Sequence, residues 1–167
     1  MMSRVESGDL TAMRDLAVIF LEGQGTPPSG AWALACVQVA ATAHDPRAMS
    51  YLGWMYATAR GVPQDDAQAV RWFRRGADAG QAGAMYNLGN MYANGRGVPQ
   101  DDAQAVRWYR RAADAGEALA MYNLGIMYAE GRGVPQDDDE AVRLWRRAAR
   151  LDEPNAQAVL RRLGRSW

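Results

Sequence analysis

Hydrophobic residues recur along this chain with the spacing of an α-helix, in two segments that alternate regularly. In one segment, Leu88 and Met91 fall on a single helical face. In the next segment, Trp108 and Ala112 fall on another such face. The polar stretch NGRGVPQD lies between the two segments. The pattern therefore predicts two amphipathic helices joined by a short connection.

This polar connection contains residues that end one helix and begin the next. Gly95 and Gly97 accept a positive φ at the end of the first helix. Pro99 lies just outside the second helix, where its missing N–H costs nothing. Asp101 is a favourable N-cap, and Gln104 three residues later completes a capping box. The stretch predicts a helix stop followed by a helix start, and not an active site.

The whole pattern returns every 36 residues. The stretch GVPQDDAQAVRW occurs at 61–72 and again at 97–108, and GVPQDDDEAVRLW begins at Gly133. Self-similarity at such a period is typical of a solenoid of stacked helix pairs. We therefore predict an all-α solenoid in a single domain, 1–167, with four helix pairs and a C-terminal capping helix: 11–46, 47–82, 83–118, 119–154 and 155–167.

The repeated segments resemble the Sel1-like repeat family, a relative of the tetratricopeptide repeats. Residues 84–113 meet almost fully its signature A-x-x-x-L-G-x-x-Y-x-x-G-x-G-V-x-x-D-x-x-x-A-x-x-W-[YF]-x-x-A-A. Residues 48–77 and 120–149 match with few departures, whereas the first repeat has Thr26 for Val and Ser29 for Asp. The resemblance implies a right-handed α-solenoid whose first helices line the concave surface. It also implies protein–protein interaction, as an adaptor or scaffold.

Composition limits the compartment and the partners. The 19 arginines balance 19 acidic residues, so the net charge is zero. The chain therefore has no overall charge that would favour binding to nucleic acid or to an anionic membrane. Cys36 is the only cysteine, which excludes an intramolecular disulfide. The segment LAVIFL is much shorter than the roughly 20 apolar residues of a membrane span. Abundant Arg, Ala and Gly indicate a GC-rich bacterial gene. We expect a cytoplasmic monomer, with at most weak self-association through its end faces.

The residues that could carry catalysis or hold a metal are few. His44, the one histidine, falls at a helix end where later repeats have Gly80 and Gly116. Cys36 takes the place of core tryptophans, which favours a buried and unreactive thiol. The acidic run 137–140 lacks the pattern of a calcium loop and is explained by capping of a helix. We therefore expect no enzyme, no cofactor and no metal.

Candidate partner-binding residues lie on the first helices, where the repeats differ. Trp54 is the strongest candidate, because its counterparts are Val18, Asn90 and Ile126. Aromatic and amide side chains together suit an extended peptide or a partner helix. The tyrosines belong to the family signature and could instead serve contacts between repeats. The candidate set is Arg14, Val18, Arg47, Ser50, Trp54, Thr58, Tyr86, Asn87, Asn90, Asn94, Tyr122, Asn123, Ile126 and Glu130.

Three alternatives stay open from the residues alone. Trp32 replaces a capping-box Gln, so it either packs under the N-terminal residues, which we favour, or forms an exposed contact. The arginines of the second helices form either a solvated face, which we favour, or a surface for an acidic partner. An adaptor is the expected function, and an immunity- or inhibitor-type protein that blocks a toxin or an enzyme is the alternative.

Overall fold

The computed structural model describes Asp15 and residues 30–166 of the chain. Between 30 and 166 the chain forms eight α-helices and no strand. The helices are α1 (Gly30–Thr42), α2 (Pro46–Thr58), α3 (Asp66–Asp78), α4 (Ala82–Asn94), α5 (Asp102–Asp114), α6 (Ala118–Glu130), α7 (Asp138–Ala149) and α8 (Pro154–Arg162). The chain divides into two compact units, which meet at Ala84 and Met85 and are described separately.

Aspartate side chains start the second helix of each described pair. The Asp101 carboxylate accepts a hydrogen bond from the Gln104 backbone N–H at 2.9 Å, which confirms the predicted N-cap. The same bond, also at 2.9 Å, joins Asp65 to Gln68 and Asp137 to Glu140. The three copies of PQDD therefore form three identical helix starts.

Residues in the left-handed conformation end the helices, as the sequence predicts. Gly95 and Gly97 have φ of +63° and +68°. His44 has φ of +66° beyond the end of α1, and its N–H donates to the Ala41 carbonyl at 3.2 Å. Ala59 has φ of +57° at the position that Gly95 occupies in the next repeat. His44 is therefore a helix-terminus residue, as expected.

In the first unit, α1, α2 and α3 pack consecutively around one apolar core. Leu52 and Met55 of α2 are fully buried against Val37 of α1. Each such buried side chain stabilises the fold by about 1.5–3 kcal/mol. The Phe73 ring lies over Gly53, where a Cβ atom would come within 2.7 Å of it. A glycine is therefore required beneath this ring.

In the second unit, α5, α6, α7 and α8 pack in sequence order. The leucines at the repeat period are all buried: Leu88 and Leu160 are 0% exposed and Leu124 is 2% exposed. Gly89 and Gly125 lie beneath the rings of Tyr109 and Trp145, as Gly53 does beneath Phe73. The predicted equivalence of positions 36 residues apart thus extends to the packing.

The repeat position that Cys36 shares with Trp72 and Trp108 lies at the edge of the core and not inside it. Cys36, Trp72 and Trp108 are all half-buried. The Arg75 guanidinium covers the Trp72 ring at 4.7 Å, and that of Arg111 covers Trp108 at 4.5 Å. Partial burial raises the pKa of the Cys36 thiol, which lowers its thiolate fraction and hence its reactivity.

The C-terminal helix is shorter than the sequence pattern suggests. The apolar stripe predicts a capping helix from 155 to 167, whereas α8 ends at Arg162. Gly164 takes φ of +64°, and Leu163 is 50% exposed. An apolar stripe cannot by itself extend a helix past a glycine that closes it.

Candidate protein-binding site

The structure places most of the predicted partner-binding residues on three helices. Arg14 and Val18 lie outside the described residues. In the first unit, α2 carries Arg47, Ser50, Trp54 and Thr58. In the second unit, α4 carries Tyr86, Asn87, Asn90 and Asn94, and α6 carries Tyr122, Asn123, Ile126 and Glu130. Four of these twelve are exposed (Arg47, Thr58, Asn94 and Glu130), and the others are half-buried.

Trp54 forms the centre of an aromatic cluster in the first unit. Its ring stacks on Tyr51, with 5.2 Å between ring centroids. The Arg60 guanidinium lies 5.7 Å from the Trp54 ring, and the Thr58 hydroxyl donates to the Trp54 carbonyl at 2.7 Å. The half-buried indole is thus held in place while part of its surface meets solvent. A pre-positioned aromatic side chain is the usual anchor of a protein interface.

In the second unit, three of the four candidate asparagines form hydrogen bonds within the chain. The Tyr109 hydroxyl of α5 donates to the Asn90 side-chain oxygen at 2.6 Å. The Asn123 side-chain amide of α6 donates to the same oxygen at 3.3 Å. Asn94 donates its side-chain N–H to the Asn90 backbone carbonyl at 2.8 Å. Asn90 thereby links α4 to Tyr109 of α5 and to Asn123 of α6, a role that the sequence pattern does not predict.

The tyrosines of the second unit also contact the second helices. The Tyr86 ring tilts against the Tyr109 ring, with 6.1 Å between centroids. The Tyr122 carbonyl accepts a hydrogen bond from the Trp145 indole N–H at 3.1 Å. The ring contact supports for Tyr86 the internal role that the sequence left open, whereas Tyr122 contributes its backbone carbonyl and not its ring. Ile126 is a half-exposed apolar side chain on α6.

Burial of Tyr109 raises its pKa to about 12, against an ordinary value of 10.0. The ring is only 3% exposed, so the phenolate would lose its hydration there. In the unfolded chain the hydroxyl ionises near its ordinary pKa. Between about pH 10 and 12 the unfolded state therefore binds fewer protons than the folded state.

We expect the free energy of unfolding to fall as the pH rises from about 10 to 12, by up to about 1.4 kcal/mol per pH unit from Tyr109 alone. Urea unfolding at a series of pH values measures the slope, and Tyr109→Phe is the control that removes this contribution. An equally steep fall in the Tyr109→Phe variant would contradict the assignment. Absorbance of tyrosinate in the folded wild type gives a second check, because one tyrosine should ionise late.

A second internal contact was not anticipated from the sequence. Arg132, in the loop after α6, donates to both carboxylate oxygens of Asp102, from Nε at 3.2 Å and from Nη2 at 2.9 Å. This pairing raises the pKa of Arg132. The next residue, Gly133, has φ of +68° and lies directly on the Asp102 backbone. In the sequence, an arginine and an aspartate that recur every 36 residues could have indicated this ion pair.

For Trp32 and for the arginines of the second helices, both alternatives from the sequence stay open. The Trp32 side chain is 64% exposed, and its expected contact with the N-terminal residues lies outside the described part of the chain. On α7, Arg143 and Arg147 are exposed, as a solvated face predicts. Arg146 is half-buried and donates to the Ser166 carbonyl at 2.9 Å.

Within the described residues, no group of three His, Cys, Asp or Glu side chains is arranged to hold a metal ion. None of the helices between 30 and 166 is both long enough and apolar enough to cross a membrane.

Helix pairs with identical caps and glycines under aromatic rings define a helical repeat protein of the all-α solenoid class. The Sel1 repeat profile matches the chain four times in succession, at residues 10–45, 46–81, 82–117 and 118–153. The chain belongs to the Sel1 repeat family. Members of this family are generally protein-interaction modules and typically non-catalytic scaffolds.

Solved structures of other Sel1-like proteins superpose on this chain. A protective antigen of uropathogenic Escherichia coli with an SLR fold is 33% identical, has a TM-score of 0.85 and matches 91% of this chain. A Sel1 repeat protein from Oxalobacter formigenes is also 33% identical, with a TM-score of 0.85 over 90% of this chain. The cysteine-rich protein B of Helicobacter pylori shares the fold, at 19% identity over 74% of this chain and 94% of its own length, with a TM-score of 0.63.

This chain is shorter than the first two of these relatives. It spans 32% of the Escherichia coli antigen and 62% of the Oxalobacter formigenes protein. No curated protein matches it in sequence.

Proposed function

We propose that this chain is a non-catalytic adaptor that binds a peptide or protein partner on the faces of its first helices. Its membership of a family of protein-interaction modules supports the class of function. One observation supports this choice of binding face, namely the environment of Trp54. Its indole is half-exposed and braced by Tyr51 and Arg60, at a position where other repeats have Asn90 and Ile126. A braced aromatic ring loses little entropy when a partner covers it.

In the second unit, the proposed contacts are fewer than the sequence suggested. Ile126 supplies apolar surface on α6, and Glu130 is exposed one turn further along the helix. Asn90 and Asn123 act as positioning residues, because their hydrogen bonds fix α4 against α6. In this unit the partner therefore contacts Ile126 and Glu130. Asn90 and Asn123 hold the helix that carries these two side chains in position.

The residues that could carry catalysis are compatible with a binding role. A lone histidine in an exposed helix terminus and a thiol with a raised pKa give no catalytic pair, which supports a binding role. A single cysteine fits a reducing compartment, so we propose the cytoplasm. We also propose a monomer that binds neither nucleic acid nor membrane, in keeping with the balanced charge.

Affinity capture from the native cell tests the proposed face. We expect Trp54→Ala and Ile126→Asp each to lower the affinity for the captured partner by about tenfold or more, because hot-spot side chains contribute about 2 kcal/mol or more to binding. Since the two residues lie in different units, they are changed singly as well as together. Matched controls are Arg71→Ala and Arg107→Ala, which alter exposed side chains of the second helices.

Loss of the partner in the controls, with retention in Trp54→Ala and Ile126→Asp, would move the site to the second helices. All variants must keep the helical circular dichroism of the wild type. A captured enzyme or toxin that is inhibited at nanomolar concentration would favour the inhibitor-type alternative over the adaptor.

A further inference from the structure

A pocket of about 410 Å³ lies in the second unit, between α7 and the turn that follows α8. We name it the arginine pocket. Asp139 contributes one carboxylate to its lining, and Val142 contributes an apolar side chain. The rest of the lining consists of arginines, namely Arg143, Arg146, Arg147, Arg150 and Arg165.

Ion pairs within the chain neutralise only one of these five arginines. The Arg143 guanidinium pairs with Glu140. In the part of the chain that the structure describes, no carboxylate pairs with the other four. Against their four charges stand the carboxylate of Asp139 and about half a negative charge from the C-terminal end of α7. The pocket therefore has an excess of positive charge.

The adjoining groove, which is related to the arginine pocket by one repeat, has balanced charge instead. Arg150 stands where the two preceding helix pairs have Asp114 and Asp78. This exchange of an acid for an arginine changes the local charge by two. The adjoining groove has a volume of about 370 Å³, and its charged lining is Arg110, Arg143, Arg147, Asp114, Asp137 and Glu140.

Arg146 lacks the aromatic partner that its counterpart in α5 has. There the Arg110 guanidinium donates to the Tyr128 hydroxyl at 2.7 Å. The position equivalent to Tyr128 in the last repeat is Gly164, which has no hydroxyl. Arg146 instead donates from Nε to the backbone carbonyl of Ser166 at 2.9 Å, so its two Nη atoms remain able to bind an anion.

Arg147 differs from its counterpart in the same way. Arg111 covers the ring of Trp108 at 4.5 Å, whereas the residue equivalent to Trp108 in α7 is Leu144. Arg147 instead makes a long hydrogen bond, 3.5 Å, from Nη2 to the Ala113 backbone carbonyl. A carbonyl has no net charge, so this contact leaves the charge of the guanidinium uncompensated.

We propose that the arginine pocket binds a phosphorylated side chain of a partner protein. This inference rests on the proposed function, because it takes the partner to be a protein. A phosphate monoester has about 1.5 to 2 negative charges at pH 7 and three acceptor oxygens, so several guanidinium groups can share it. A carboxylate has one charge and two oxygens, which a single arginine already satisfies.

Other phosphate-bearing ligands fit this pocket less well. A nucleotide gains affinity when its base stacks on a ring, but no aromatic side chain of the described residues lines the pocket. An anionic membrane favours positive charge that is spread over a surface. Here the adjoining groove is balanced and the net charge of the chain is zero. A phosphate group carried by a protein is the occupant that this confined charge favours.

Titration of the isotope-labelled full chain with a capped peptide AAXAA, in which X is phosphoserine, tests this proposal. The measurement is by NMR, in phosphate-free buffer at constant ionic strength. We expect saturable shift changes at the side-chain N–H groups of Arg146, Arg147, Arg150 and Arg165. The peptide in which X is glutamate should bind about tenfold more weakly, because it has one charge and fewer acceptors.

Arg150→Asp is the variant that should abolish the preference for phosphate, because it restores the acid of the preceding repeats. We expect it to weaken the phosphoserine peptide by about tenfold or more, and Arg150→Gln to weaken it less. Arg107→Asp is the matched control. It makes the same change of charge at an exposed residue of α5 that does not line the pocket, and it should bind as the wild type does. All variants must keep the helical circular dichroism of the wild type.

Several results would overturn the proposal. These are equal affinity for the phosphoserine and glutamate peptides, equal losses in Arg150→Asp and Arg107→Asp, and absence of saturable binding up to the solubility of the peptide. Saturation by inorganic phosphate at a lower concentration than by the peptide would assign the pocket to a free anion. Binding to vesicles that contain phosphatidic acid, lost in Arg150→Asp and without binding of the peptide, would assign it to a membrane.

The proposed adaptor function and the arginine pocket fail separately. Trp54→Ala lies in the first unit and should leave the affinity for the phosphoserine peptide unchanged. Conversely, Arg150→Asp should leave unchanged a partner that depends on Trp54 alone. Loss of peptide binding with capture through Trp54 intact would therefore reject the arginine pocket and not the adaptor.

Discussion

Gly89→Ala is expected to lower the free energy of unfolding by about 2 kcal/mol, although alanine is the better helix former. A Cβ atom at Gly89 would lie 2.7 Å from two ring carbons of Tyr109. The Tyr109 ring is 3% exposed and fixed by its hydrogen bond to Asn90, so it has no room to move aside. Urea unfolding followed by circular dichroism measures the change.

A double-mutant cycle isolates this contact from the effect of helix propensity. In a Tyr109→Leu background the obstructing ring is gone, and Gly89→Ala should become neutral or stabilising by up to about 1 kcal/mol. Gly83→Ala, in the same helix, is a second control, because the added Cβ meets no ring and only the side chain of Gln81, at 3.2 Å. If Gly89→Ala costs the same in both backgrounds, the ring is not the reason for the glycine.

Gly133→Ala should have the larger effect, a loss of about 3 kcal/mol. The residue has φ of +68°, which strains any side chain, and the new Cβ would overlap the backbone carbonyl of Asp102. A backbone atom at the start of α5 cannot turn aside as a side chain does. The loop would have to lift, which would also break the Arg132–Asp102 pair.

Gly116→Ala is the matched control for this prediction. It also has a positive φ, +91°, but nothing lies within 4 Å of the added Cβ. Its cost is then backbone strain alone, about 1 kcal/mol. Comparing the two variants by urea unfolding separates strain from overlap, and equal losses at both positions would show that the contact with Asp102 contributes nothing.

Much of the local structure follows from the sequence, because its causes are local. The N-cap at Asp101 and the left-handed residue at Gly95 depend on neighbours within a few positions, and both are present as predicted. The burial of Leu88 and Leu124 follows from helical periodicity combined with the repeat. His44 could be placed at a helix end because its counterparts are glycines.

The candidate site was harder to predict, since its side chains meet across helices. Asn90 and Asn123 have the same polarity whether they bind a partner or one another, and only the tertiary structure shows that their side chains lie 3.3 Å apart. The same holds for Cys36, which packs against the core but is only half-buried, as are Trp72 and Trp108 at the equivalent positions. Residue type alone does not distinguish these cases.

The sequence by itself determined the repeat period, the helix starts and stops, and the family, because short-range sterics and capping are written in residues close together along the chain. Only the tertiary structure decided that Asn90 and Asn123 brace the helices, that Arg132 holds Asp102, and that the last helix ends at Arg162. These outcomes depend on distances between residues about one repeat apart, which packing sets and local sequence does not.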